Sequence, residues 1–166
     1  LVSPFENTGH GVLDNAGLTL IEMADYMEPT PLGRAEWIRL IGRLYGRAAE
    51  ADSVFSAVKE TYTALAAESA KLSPKPRVIT EQFTDGYWFV PGGKSYMARL
   101  LADAGADYPW ADDGSAGSLQ LDFSAVLAKG GDADYWLIRT YGEDLTLDGL
   151  KERSPLTARF TAFSTG

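Results

Sequence analysis

Residues 26–46, YMEPTPLGRAEWIRLIGRLYG, decide the fold, because they form a loop that feeds one helix and leads directly into a second helical run. Met27-Glu28-Pro29-Thr30-Pro31 cannot be helical, since each proline removes a donor and holds the residue before it extended. Thr30 and Pro31 then make a helix start, with threonine as N-cap and proline at the first helical position. From there Leu32, Ala35, Ile38, Ile41 and Tyr45 keep helical spacing, and Ala48, Ala51, Phe55, Val58, Tyr62 and Leu65 continue it. Gly42 and Gly46 predict a break near Gly46, hence two helices. The second, residues 49–71, would be about 35 Å long at 1.5 Å per residue. That length lets it run along one lobe and reach another; the alternative is a surface helix of a single domain.

On the N-terminal side, Leu1-Val2-Ser3 reads as the end of a strand, residues 12–16 as a short helix stopped by Gly17, and residues 18–23 as a second strand. On the C-terminal side, Ser73-Pro74-Lys75-Pro76 ends the long helix and residues 77–82 form a strand. An aromatic, glycine-bearing loop follows over 83–93, then a helix over 94–104 with Gly105 as its stop. Residues 107–117 read as a polar loop carrying Tyr108 and Trp110, 123–129 as a helix, 133–138 as a strand, 147–153 as a helix and 158–163 as a strand. Strands alternating with helices through short loops predict parallel sheets. With strands at both ends, the chain is expected to be an internal piece of a longer protein.

Composition excludes several classes. A chain of 166 residues can bury about 70% of its unfolded surface, so a core needs no metal or disulfide. The net charge of −8 argues against a nucleic-acid partner or an anionic membrane surface, because there is no basic excess to meet phosphate. Without cysteine there is no thiolate metal site, disulfide framework or thiol nucleophile. No stretch approaches the 18 or more apolar residues of a membrane-spanning helix.

Gly92-Gly93-Lys94-Ser95 lies between a strand and a helix, as the end of a phosphate loop would. That loop needs a glycine five positions before its last one, where this chain has Trp88. The segment is instead a tight turn that brings a helix N-terminus close to a neighbouring lobe or a ligand. His10 is the only histidine and sits between two glycines, with no nucleophile elbow. Asp112-Asp113 and Asp132/Asp134 fall in polar loops without the spacing of a calcium loop. The aromatics Phe5, Tyr26, Phe83, Tyr87, Trp88, Phe89 and Tyr141 follow strands or leave them on loops. In open α/β sheets, ligands bind at that carboxyl edge. Tyr87 and Trp88 are the leading candidates for contact, because aromatic rings bring large area at small entropic cost.

Tyr26-Met27-Glu28, Pro31-Leu32-Gly33-Arg34-Ala35-Glu36-Trp37-Ile38, the segment from Leu40 to Gly46, the long helix, Arg77-Val78-Ile79, Gly92 to Met97 and Ala104 to Tyr108 together resemble substrate-binding proteins of ABC importers. The branch they are similar to handles cobalamin, ferric siderophores and haem. The resemblance implies an α/β fold of two parallel-sheet lobes joined by a single long helix. This chain would carry the end of the N-terminal lobe (1–46), the interlobe helix (47–72) and most of the C-terminal lobe (73–166). It implies no enzymatic activity and no resident cofactor, any metal arriving inside its own chelator. The ligand-binding residues would be Phe5, Glu6, Tyr26 and Met27 on one lobe and Tyr87, Trp88, Arg139, with Thr140, and Tyr141 on the other.

The implied partners are a small-molecule metal chelate and an ABC permease in the membrane, with no nucleic acid and a monomeric state. The implied location is the periplasm or cell envelope, lipid-anchored in the full-length protein. The family's acidic docking residue on the C-terminal lobe would fall at Ser124, so its charge is either absent or supplied by Asp122. Two other readings remain open. One is a small α/β enzyme using Asp112, Asp113 or His10 as acid or base, the other a fragment with no activity of its own.

Overall fold

Thr30 begins the first long helix as its spacing predicts: its hydroxyl accepts the Gly33 N–H at 3.0 Å, and Pro31 opens the helix. The structure is a computed structural model that describes residues 11–140, 142 and 145–165. Leu1 to His10, with Phe5 and Glu6, lie outside the described residues, as does Tyr141. The chain divides into two units, Leu1–Lys59 and Glu60–Gly166, each described by itself below.

In the first unit a short helix, α1 (Val12–Asn15), precedes a 3-10 turn at Asp25–Met27, α2 (Pro31–Leu44) and the start of α3 (Ala48–Ser69). The expected strand over 18–23 is irregular chain with one isolated bridge at Glu22. The expected break is present: Tyr45 caps α2, Gly46 turns the chain at φ 68°, and α3 starts two residues later. Gly42 lets the helices meet closely, because a Cβ there would stand 3.0 Å from the Arg47 carbonyl and collide with the Ala51 methyl. Arg39 ties α2 to α3 through Asp52 at 2.7 Å, which holds that carboxyl below its ordinary range.

The second unit contains the rest of α3, then β1 (Val78–Thr80), β2 (Phe83–Thr84), β3 (Tyr87–Pro91), α4 (Tyr96–Asp103), β4 (Ser118–Leu121), α5 (Phe123–Gly130), β5 (Tyr135–Leu137) and α6 (Leu147–Arg153). β1 and β5 pair in parallel with Ile79 opposite Trp136, and β2, β3 and β4 form an antiparallel sheet. That second sheet corrects the expected loop over 83–93. Asp85 and Gly86 both take positive φ, 52° and 88°, and an Asp-Gly pair in that conformation closes a two-residue hairpin.

Residues 158–163, expected as a strand, instead span the end of a 3-10 turn (Pro155–Arg159) and the start of α7 (Thr161–Thr165). Pro155 presets the turn, and Phe160 between the two pieces is fully buried, so packing overrides the strand propensity of this aromatic, β-branched run.

The core of this unit is aromatic. Trp88 is fully buried, stacks on Trp136 at 5.4 Å between ring centroids and meets Phe160 at the same distance. Phe123, Ile79, Val90 and Val126 close around them. Tyr108 and Trp110, expected on a polar loop, are also buried here, and burial pushes the Tyr108 hydroxyl pKa up. On α3, the Tyr62 hydroxyl donates to Asp103 at 2.9 Å; burial first, then that carboxylate, raise its pKa to about 12.

Candidate functional site

The carboxyl ends of the parallel strands β1 and β5 bring together the charged groups of the candidate site. β1 ends at Thr80, and Glu81 follows in the left-handed region at φ 66°. Its N–H donates to the Leu137 carbonyl at 3.0 Å, and its carbonyl accepts the Trp136 indole N–H at 2.6 Å. Its carboxylate meets Arg139 Nη2 at 2.7 Å, with the glutamate side chain 19% exposed and the arginine side chain 60% exposed. Beside it the Gln82 side-chain carbonyl accepts from Arg153 Nη1 at 3.2 Å, which brings α6 to the same end. The hairpin β2–β3 springs directly from this junction. Its strand β3 alternates in and out, so Tyr87 and Phe89 stand half-exposed on the outer face, 6.5 Å apart, while Trp88 and Val90 point into the core.

This placement corrects one expected contact. Trp88 cannot stack on a ligand: its indole N–H donates to the Thr80 carbonyl at 2.9 Å and the ring has no exposed surface. The period of two that exposes Tyr87 is what buries Trp88. Arg139 joins the cluster at the strand ends, followed by exposed Thr140, and Tyr87 stands on the hairpin. Tyr26 and Met27 are exposed on the 3-10 turn of the first unit. Phe5, Glu6 and Tyr141 lie outside the described residues, and so does His10. Sequence reasoning missed Glu81, Gln82 and Arg153. Glu81 and Gln82 fall inside the strand expected over 77–82, which ends at Thr80, and Arg153 lies at the end of the helix expected over 147–153.

The remaining candidates serve local structure. The glycines of Gly92-Gly93 admit the chain's own loop rather than a ligand: a Cβ on Gly92 would stand 2.5 Å from the Ser115 carbonyl. The Gly92 and Lys94 amides donate to Gly117 and Ser115, and the Ser95 hydroxyl caps α4. Asp113 accepts the Ser115 N–H at 2.8 Å, and hydrogen bonds from Ser115 hold its carboxyl below the ordinary range. Asp112 is exposed in the same loop. Asp132 and Asp134 bind Arg77 at the opposite ends of the strands. Asp122 is exposed and caps α5, accepting from the Ser124 hydroxyl at 2.6 Å and the Ala125 N–H at 2.7 Å, which keep its pKa low.

Among the described residues no group of three or more histidine, aspartate or glutamate side chains gathers to hold a metal ion, and no helix is long and apolar enough to cross a membrane. A hollow of about 470 Å³ runs along β5 beside α6 and α7, lined by Leu137, Ile138, Leu147 and Phe163. Asp134, Thr161 and Thr165 also line it, and it holds none of the arginines at the strand ends.

Three comparisons bear on the chain. The family model described as periplasmic binding protein matches residues 21–166. An uncharacterized lipoprotein of Methanocaldococcus jannaschii is 27% identical over 151 residues, covering 90% of this chain and 36% of that protein. The periplasmic heme-binding protein RhuT of Roseiflexus sp. RS-1, in apo form, superposes with a TM-score of 0.73 at 21% identity, over 93% of this chain and 58% of that one. The periplasmic heme-binding protein HutB of Vibrio cholerae does so with a TM-score of 0.72 at 16% identity, over 92% and 58%. The two structural likenesses establish the fold. The chain spans between 36% and 46% of the length of the curated relatives it matches.

Proposed function

Because the chain belongs to the periplasmic binding protein family, we propose that it is part of an extracytoplasmic solute-binding protein that captures a metal chelate and delivers it to an ABC import permease. The chelate class is a haem, a ferric siderophore or a cobalamin-type corrinoid. The observation that carries this reading is the pairing at the carboxyl end of β1 and β5: an outward arginine held by a carboxylate, with two half-exposed aromatic rings on the adjoining hairpin. Such chelates present planar or apolar surface together with polar oxygens. Rings supply area, and a guanidinium supplies directed donors to carboxylate-like groups.

On this reading the chain catalyses nothing and needs no cofactor, the metal arriving inside its chelator. Tyr26, Met27, Phe5, Glu6 and Tyr141 would complete the ligand set of the full-length protein. Asp122, exposed and held charged at the start of α5, supplies the acidic group that a permease would meet where Ser124 replaces the expected carboxylate. The full-length protein would sit at the cell envelope, held by a lipid anchor, and act as a monomer. Support for that location comes from the family and from the lipoprotein relative.

The test is a titration of the full-length protein with haemin, ferrioxamine B, cobinamide and cobalamin, followed by tryptophan fluorescence. At least one should bind below about 10 μM, a modest value for a capture protein. If all four fail at that concentration, the import reading loses its support.

A further inference from the structure

We infer that Glu81 is a positioning residue, whose carboxylate aims Arg139 at polar oxygens on the ligand, and that the strained backbone at Glu81 is kept for that task. The inference rests on the chelate reading above and names the residue that tunes its affinity.

Glu81 and Asp85 are the non-glycine residues with positive φ among those described. For a residue with a Cβ the left-handed region is disfavoured, so each instance needs a reason. Asp85 has one, because it occupies the first position of the hairpin turn with Gly86 after it. Glu81 lies outside that turn, at the end of a parallel strand.

Three contacts meet at Glu81, and they separate what any residue would provide from what glutamate adds. The N–H to Leu137 and the carbonyl to Trp136 are backbone contacts. A glycine would make both without steric cost. Only the third, the carboxylate on Arg139 Nη2, needs this side chain. Strain retained for one side-chain contact at the mouth of a candidate site points to function rather than folding.

The geometry fits that role. The glutamate is mostly covered while Arg139 stays 60% exposed, so the ion pair through Nη2 leaves most of the guanidinium in solvent. An arginine fixed in advance binds with less ordering cost than a free one. Glu81 therefore acts through Arg139 rather than by touching the ligand.

The experiment uses the full-length protein and whichever of haemin, ferrioxamine B or cobinamide binds it tightest. Glu81→Gly should raise Tm by about 2 °C or leave it unchanged, through relief of the left-handed residue. It should also weaken the probe about tenfold. Arg139→Ala should weaken the probe equally, and the double variant should lose nothing further, since one residue works through the other. Glu81→Gln, which keeps an acceptor for the guanidinium, should retain most of the affinity.

A merely structural tether would show itself as Tm and affinity falling together in Glu81→Gly. That result, unchanged affinity in Glu81→Gly, or additive losses in the double variant would each overturn the inference while leaving the chelate reading intact. Failure of the unaltered full-length protein to bind any probe would sink the chelate reading and this inference with it.

Discussion

The strands β1 and β5 carry an arginine–carboxylate cluster at each end, and the two clusters differ in what they leave uncommitted. At the amino end Arg77 bonds Asp107 through Nη1 at 2.6 Å, Asp132 through Nε at 3.0 Å and the Lys129 carbonyl through Nη2 at 2.8 Å. Its own amide donates to Asp134 at 2.7 Å. All three guanidinium nitrogens are engaged, and the side chain is 29% exposed. At the carboxyl end the ion pair is of similar length, 2.7 Å, yet Arg139 is 60% exposed and its partner is held at positive φ. Pair length therefore does not separate staple from site. The donors left over and the backbone tolerated around the pair do.

The largest effect should come from beneath the carboxyl end. Trp88 supports it through the Thr80 carbonyl and through Trp136, whose indole N–H reaches Glu81. Trp88→Ala removes a fully buried ring and should cost about 3–5 kcal/mol in urea unfolding. A loss under about 1 kcal/mol would take Trp88 out of the core and return it to the ligand surface.

Arg77→Met is the next largest and tests the amino end. It removes three charge-assisted bonds from a partly exposed side chain, worth about 1–2 kcal/mol together after solvent screening. Probe affinity should not change. Weaker binding in a variant that still folds would mean that the two ends are not separate in function.

Those expectations mark where sequence reading succeeded and where it failed. The helix start at Thr30 and the stops at Gly46 and Gly105 follow from side-chain rules that act within four residues, and the helices expected over 123–129 and 147–153 are present as Phe123–Gly130 and Leu147–Arg153. The hairpin was legible too, since Asp85-Gly86 is a turn signal flanked by alternating residues, but the density of aromatics read as a ligand loop. The same alternation would have sent Trp88 inward.

Residues 158–163 were not legible, because whether an aromatic, β-branched run becomes strand or helix there depends on the packing of Phe160. Arg139 was legible as a residue following a strand. Glu81 was not, because nothing in its type announces a left-handed backbone.

Acid should act through three aspartates whose carboxyls are held low. Asp113 is held low by the Ser115 N–H, Asp122 by the Ser124 hydroxyl and the Ala125 N–H, and Asp52 in the first unit by Arg39. Each folded pKa lies below its unfolded value, so the unfolded chain binds more protons and stability falls with pH. The contribution is complete above about pH 4 and is lost as pH drops through the folded values. Melting temperatures should therefore be insensitive to these groups from neutrality to about pH 5 and decline below about pH 4. Asp122→Asn should flatten part of that decline. An unchanged acid slope would show that the cap at α5 is not held charged in the fold.

The smallest effect on stability is expected where the effect on binding is greatest. Arg139→Ala breaks a single pair whose arginine is largely in water and whose carboxylate is mostly covered, a loss of about 1 kcal/mol or less after solvent screening. Its midpoint in urea should therefore stay close to that of the unaltered chain, while Arg77→Met shifts clearly. If Arg139→Ala destabilises as much as Arg77→Met, the carboxyl-end arginine is a second staple and the contrast between the strand ends disappears. If it leaves the midpoint in place and weakens the probe, two arginines on the same pair of strands have divided folding and capture between them.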